Sequence, residues 1–286
     1  LVNKILAMKK YLLTSWLKIA GIVAASGIGY QNNEIQLVSD NGNALYHYFI
    51  ANDSLAKYSL DGDPVIDNMP KSTKHDLESF TTIDNTWYAF GSGSKENRNV
   101  GFMVNKFSKY STKLDLTGLY DEMKSFSELT TDDFNIEAVT VYNEDWLFIN
   151  RGNGPKNANY IYVVQGKNLI DDFNIYYFEF DLPKINNVQS GFSDATVINN
   201  TLYFIATAED ETSTYNDGAI KGSLFGAIDL KKMKLLFTEK ISDTNKFEGI
   251  TVLEQNKKSV VFALCEDADD AKNNEAIIYK LQVDLK

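Results

Sequence analysis

Five copies of one two-strand signal recur along this chain, and no other feature limits its fold so sharply. A small or acidic residue opens each copy, a polar turn follows, and a hydrophobic strand completes it. The copies run Ser26-Gly27-Ile28 to Leu37-Val38-Ser39-Asp40, Glu78-Ser79-Phe80 to Trp87-Tyr88-Ala89-Phe90, and Glu137-Ala138-Val139 to Trp146-Leu147-Phe148-Ile149. The last two run Asp194-Ala195-Thr196 to Leu202-Tyr203-Phe204-Ile205 and Glu248-Gly249-Ile250 to Val260-Val261-Phe262-Ala263. Aligned on Gly27, Ser79, Ala138, Ala195 and Gly249, they stand 52, 59, 57 and 54 residues apart. A strand-built repeat of that length predicts propeller blades. The expectation is an all-β chain forming one propeller over residues 1–286, with five four-stranded blades whose signals fall near 26, 78, 137, 194 and 248.

Composition agrees. The chain has 16 Tyr and 17 Phe but only 4 Pro, which suits sheets packed face to face. No Pro- or Gly-rich linker separates the copies. A net charge of −11 argues against a nucleic-acid partner, since phosphate backbones call for a basic face. No stretch is long and apolar enough to predict a membrane span. The one cysteine, Cys265, ends a hydrophobic strand and reads as a small buried hydrophobe.

The two ends of the chain fit together. After Gly249 the sequence holds three strands, near 247–254, 258–265 and 275–284, so the last blade lacks its outer strand. Tyr11–Lys18 has the right length to supply it and close the ring. The same region, Met8-Lys9-Lys10 followed by an apolar run to Ser26, also resembles a secretory signal. Lys18 interrupts that run, so a retained strand and a cytoplasmic location are expected; export to a periplasm is the alternative. In the connection after the second copy, Leu119–Leu129 reads as a short helix decorating the outside.

In a propeller the first strand of each blade lines the central channel, and the second returns to the face where the first began. The opening residues and the second-strand ends therefore converge on one mouth. That gathers Glu78, Glu137, Asp194 and Glu248, with Ser26 as the odd member. Two roles stay open for these acids: accepting backbone amides of the next blade, or acting chemically. Crowded carboxylates raise one another's pKa, so a cation or nearby arginines should neutralise them. Glu137, Asp194 and Glu248 are the candidate catalytic acids, as ligands of a divalent cation or as a general base. Arg151, in Asn150-Arg151-Gly152-Asn153, and Arg98, after Gly91-Ser92-Gly93-Ser94, are placed to bind a carboxylate of the ring or an anionic ligand. With Glu78, Ser92, Ser94 and Asn153 they form the candidate ligand set. The polar insertion holding Glu209, Asp210 and Asp217 is rich in oxygen donors suited to Ca²⁺ or Mg²⁺. With two histidines in the chain, a histidine zinc site or a Ser-His-Asp triad is not expected.

Taken together, Asp76-Leu77-Glu78-Ser79, Gly91-Ser92-Gly93-Ser94, Asn135-Ile136-Glu137-Ala138, Asn150-Arg151-Gly152-Asn153, Ser193-Asp194-Ala195, Asp217-Gly218 with Gly222-Ser223, and Phe247-Glu248-Gly249-Ile250 resemble the blade signatures of a family of uncharacterised bacterial propellers. That family is similar to propellers described as phytase-like esterases. The resemblance implies a phosphoester or ester substrate held by carboxylates, a metal and basic residues. The function expected is binding of a small anionic ligand at the mouth, with metal-assisted ester hydrolysis as its enzymatic form. The alternative is a non-catalytic binding or scaffolding propeller with a structural ionic ring.

Overall fold

The computed structural model describes residues 10–166, 168–210, 218–267 and 274–284. Strand β1 (Lys10–Ala20) precedes the first blade, which is built from β2 (Ala25–Gln31), β3 (Glu34–Ser39), β4 (Ala44–Phe49) and β5 (Ser54–Ser59). Blade two holds β6 (Leu77–Ile83), β7 (Thr86–Gly91), β8 (Val100–Asn105) and β9 (Ser111–Asp115), and helix α1 (Thr117–Ser127) follows it. Blade three holds β10 (Ile136–Tyr142), β11 (Asp145–Asn150), β12 (Tyr160–Gly166) and β13 (Phe173–Glu179). Blade four starts with the two-residue β14 (Lys184–Ile185), then β15 (Val188–Ile198), β16 (Thr201–Glu209), β17 (Ile220–Asp229) and β18 (Lys234–Ser242). Blade five holds β19 (Phe247–Gln255), β20 (Ser259–Glu266) and β21 (Glu275–Asp284). The sheets are antiparallel meanders, four of them with four strands and the fourth with β14 added. The fold is the expected five-bladed propeller.

The closure also holds. β1 pairs antiparallel with β21 from Lys10 opposite Asp284 to Ala20 opposite Glu275 and becomes the outer strand of blade five. The inner strands β2, β6, β10, β15 and β19 contact one another in a closed circuit.

The hydrophobic core is divided among five blade interfaces. Adjacent residues of a second strand enter different clusters: Phe148 packs between blades two and three, Ile149 between three and four. Phe204 and Ile205 split likewise between the interfaces on either side of blade four. A strand buried on both faces reads as an unbroken apolar run, which explains Trp146-Leu147-Phe148-Ile149. The first hairpins turn at Asn32, Asn33, Asp84, Asn143 and Asn199, all at positive φ, where Asn and Asp are tolerated best.

Helix α1 departs from expectation. It is no outer decoration: Leu119, Tyr120 and Met123 are buried in the cluster between blades two and three, and Tyr120 donates to the Gly91 carbonyl at 2.8 Å. Gly93 makes room for it. Its φ is +71°, and a Cβ there would lie 2.6–2.8 Å from the Tyr120 and Phe134 rings.

Candidate functional site

Every inner strand carries a register shift near its start, at Ala25/Gly27, Leu77/Ser79, Ile136/Ala138, Phe192/Asp194 and Phe247/Gly249. The extra residues are Ser26, Glu78, Glu137, Ser193 and Glu248. A β-bulge leaves its extra residue out of the ladder and re-aims its side chain, so these five form the true equivalent set at the mouth. Three are Glu and two are Ser.

Asp194 lies one residue past the bulge, equivalent to Gly27, Ser79, Ala138 and Gly249. The sequence alignment on Ala195 is therefore shifted by one in blade four, and one residue in a strand exchanges the face presented. Asp194 Oδ2 accepts the Ile250 N–H of blade five at 2.7 Å, and Oδ1 accepts its neighbour Ala195 N–H at 2.8 Å. Ser79 does the same between blades two and three, accepting the Val139 N–H at 2.6 Å. At Gly27 the next inner strand is so close that a Cβ would sit 2.8 Å from Phe80 N.

Around the bulges lie two buried networks of opposite charges. In the first, the Lys74 ammonium pairs with Asp40 and, at 3.0 Å, with Asp76 Oδ1. The guanidinium of Arg98, 2% exposed, donates to Asp76 Oδ2 at 2.6 Å and to Ser94 Oγ at 2.8 Å. Ser92 donates to the same Asp76 oxygen at 2.5 Å. In the second, Arg151 joins three blades: Glu137 at 3.2 Å, Glu209 at 2.6 Å and Glu248 at 3.6 Å. Lys246 joins Glu209 at 3.2 Å, Glu248 at 3.0 Å and Asp267 at 3.4 Å. Asp210 lies further out, paired with Lys221 at 3.1 Å, while Asp217, with Asp269 and Asp270, lies outside the described residues.

Beside the second network a cleft of about 240 Å³ opens between blades three and four, lined in part by Arg151, Asn153, Lys184, Gln189 and Glu209. Asn153 Oδ1 is buried there without a hydrogen-bond partner. His75 bonds Asp61 at 2.9 Å and His47 bonds Glu34 at 2.8 Å, away from the bulges. Cys265 is buried in the apolar cluster between blades five and one.

Carboxyl groups outnumber cationic groups in this mouth. Among the described residues, Asp40, Asp76, Glu78, Glu137, Asp194, Glu209, Glu248 and Asp267 gather here with Lys74, Arg98, Arg151 and Lys246. Burial pushes Asp40 up to about 8, helped by repulsion from Asp76 and opposed by Lys74. Burial also holds Glu78 well above the usual carboxylate range, reinforced by Asp40, Glu137, Asp76 and Glu248. Glu248 and Asp194 are held well above it by burial, against the pull of Lys246 and of two backbone N–H groups respectively. Burial raises Glu137 against the pull of Arg151. Asp76 and Glu209 go the other way: burial would raise them, but Lys74 with Arg98, and Arg151 with Lys246, outweigh it.

Ligand oxygens of Asp40, Asp76 and Glu78 all lie within 4.8 Å of one another, an arrangement that could hold a metal ion. Glu78 is 9% exposed and makes no direct hydrogen bond or ion pair among the described residues. All three donors are carboxyl oxygens, a set that suits a metal ion, and Lys74 already pairs with two of them, Asp40 and Asp76. Sequence reasoning assigned no role to Asp40 or Asp267. It missed Lys74 and Lys246, whose signal was a lysine just ahead of an inner-strand acid.

The blades and their ionic mouth define a five-bladed β-propeller with a charged channel entrance. The chain belongs to a family of unknown function (DUF6929), whose model matches residues 21–283. No curated protein matches it. Among solved structures it is similar to glutaminyl cyclase of Myxococcus xanthus, at 8% identity and a TM-score of 0.56, covering 96% of this chain and 98% of that one. It is also similar to the major Malassezia sympodialis allergen Mala s 1, at 9% identity and a TM-score of 0.55, covering 94% and 96%. A luciferin-regenerating enzyme aligns at 9% identity and a TM-score of 0.50, covering 95% of each chain. At such identities the likeness establishes the fold. No helix among the described residues is long and apolar enough to cross a membrane.

Proposed function

We propose that the charged mouth is a divalent-cation-dependent site for a small anionic ligand, and that its chemistry is hydrolysis of a phosphoester or carboxylic ester. The observation that carries this reading is the triad Asp40, Asp76 and Glu78, with ligand oxygens within 4.8 Å of one another in a mouth where carboxylates outnumber cations. These three would hold Ca²⁺ or Mg²⁺, with Arg98, Ser92 and Ser94 fixing Asp76 in place. A bound cation would supply a positive centre for the ligand's oxygens and polarise the bond to be cleaved. Glu137 and Glu248, both raised above the ordinary carboxylate range by burial, are the candidates to carry a proton in the reaction. Asp194 keeps the spacing between blades four and five, and Arg151 and Asn153 border the cleft where the ligand would enter.

Titration calorimetry with Ca²⁺, Mg²⁺ and Mn²⁺ on the parent and on Glu78→Gln tests the cation site. Saturable binding in the parent, lost in the variant, is expected. Chromogenic phosphate and carboxylic esters, assayed with the cation present, test the reaction. No binding of any of the three ions would end the metal reading, and binding without turnover would end the catalytic one.

A second reading rests on Arg151, which is 3% exposed and pairs with acids of blades three, four and five. In it the second network is a structural clasp and the propeller is a non-catalytic binding module. It expects no turnover and a large loss of stability on Arg151→Ala.

A further inference from the structure

The far half of the channel has a different chemistry. Two residues beyond each post-bulge position stand Gly29, Thr81, Thr140, Thr196 and Thr251, equivalent in register because they lie opposite Gln36, Tyr88, Leu147, Tyr203 and Ala263. They line a cavity of about 280 Å³ together with Tyr30 and Phe80. No charged residue lines it, in contrast to the opposite mouth. The four threonines and Tyr30 make no side-chain hydrogen bond among the described residues, although Thr140 is only 8% exposed.

We infer that this end of the channel is a second binding site, for a small neutral polyhydroxylated molecule of monosaccharide size. Each free hydroxyl offers one donor and two acceptor positions, so a ring of four asks for a ligand that gives and takes hydrogen bonds around its rim. The missing charge disfavours an ionic ligand, which would enter without a counter-ion. Tyr30, half-buried, adds an aromatic ring with a polar tip to the lining. The volume gives the scale: at about 30 Å³ per water the cavity holds about nine waters, which is room for one sugar ring.

Titration calorimetry and ligand-observed NMR with glucose, mannose and ribose test this, with sodium phosphate as the charged control. A ligand of this size and polarity is expected to bind with a dissociation constant of about 1 mM. Thr140→Val and Thr196→Val keep side-chain volume and remove the hydroxyl; each should weaken binding about five-fold. Thr140→Ser, which keeps the hydroxyl, should retain it. Melting curves of the three variants establish that they fold, and should match the parent. The proposal is overturned if none of the sugars saturates by about 10 mM, an upper limit ten-fold above that expectation. It is also overturned if the valine variants bind as the parent does, or if phosphate competes with the sugar.

Discussion

The ammonium of Lys74 lies 3.0 Å from Asp76 Oδ1 and also pairs with Asp40, so it occupies the same oxygen set that could take a metal ion. A lysine in this position is a resident cation, and a divalent ion must displace it to reach the triad.

Replacing that lysine should therefore favour the metal. Lys74→Met is expected to raise the affinity for Ca²⁺ or Mg²⁺ at least about ten-fold, because the ion no longer competes with an ammonium whose removal alone would cost about 3–5 kcal/mol. The same variant should melt below the parent in a chelator and recover when the cation is added. Calorimetry and melting curves read both effects; unchanged affinity would show that Lys74 and the ion do not compete.

Arg151 is expected to be a stability determinant whatever the ligand. Arg151→Ala leaves Glu137 and Glu209 buried without their guanidinium and should cost about 3–5 kcal/mol, read by chemical denaturation. Arg151→Lys should recover part of this, since one ammonium cannot reach all three acids.

The pH dependence should run opposite to that of a protein held by ionised carboxylates. Asp40 is pushed up to about 8, and Glu78, Glu248 and Asp194 are raised well above their ordinary range. The folded chain thus keeps protons that the unfolded chain releases, and stability falls wherever the folded state binds more protons. Their contribution is full below the unfolded carboxylate pKa of about 4 and is lost as pH rises through the folded values. Asp76 and Glu209, held low, contribute above about pH 4 and lose that contribution only in acid. In a chelator the melting temperature is expected to fall between about pH 5 and pH 8, a window set by these two groups of pKa values. A curve that rises across it would contradict the assignment.

Asp194→Asn should act on stability and not on any ligand affinity at the bulge ring. The amide keeps one acceptor for two backbone N–H groups, leaving the other unsatisfied at a cost of about 1–3 kcal/mol. Denaturation midpoints, compared with those of Ser79→Ala at the equivalent position, measure the shared clasp.

Strand order, closure by both ends and the gathering of charge at one mouth were all legible in sequence. They follow from repeat spacing, turn residues and alternation, which are local signals. The bulge was not legible: a register shift leaves no mark in composition, so Asp194 looked equivalent to Glu137 when Ser193 is the matching residue. Lys74 and Lys246 escaped notice because they precede the inner strands, outside the pattern that defines the copies. The burial of helix α1 was hidden for another reason. Its role depends on the space between blades two and three, a distance no single segment encodes.

The pairing of β1 with β21 sets how the ring responds to force. Lys10 and Asp284 sit opposite each other at one end of this pair, so tension between them pulls the two strands apart from that end. Such a seam unzips rung by rung, at far lower force than one sheared along its whole length, and blade five is where a stretched molecule should first come undone.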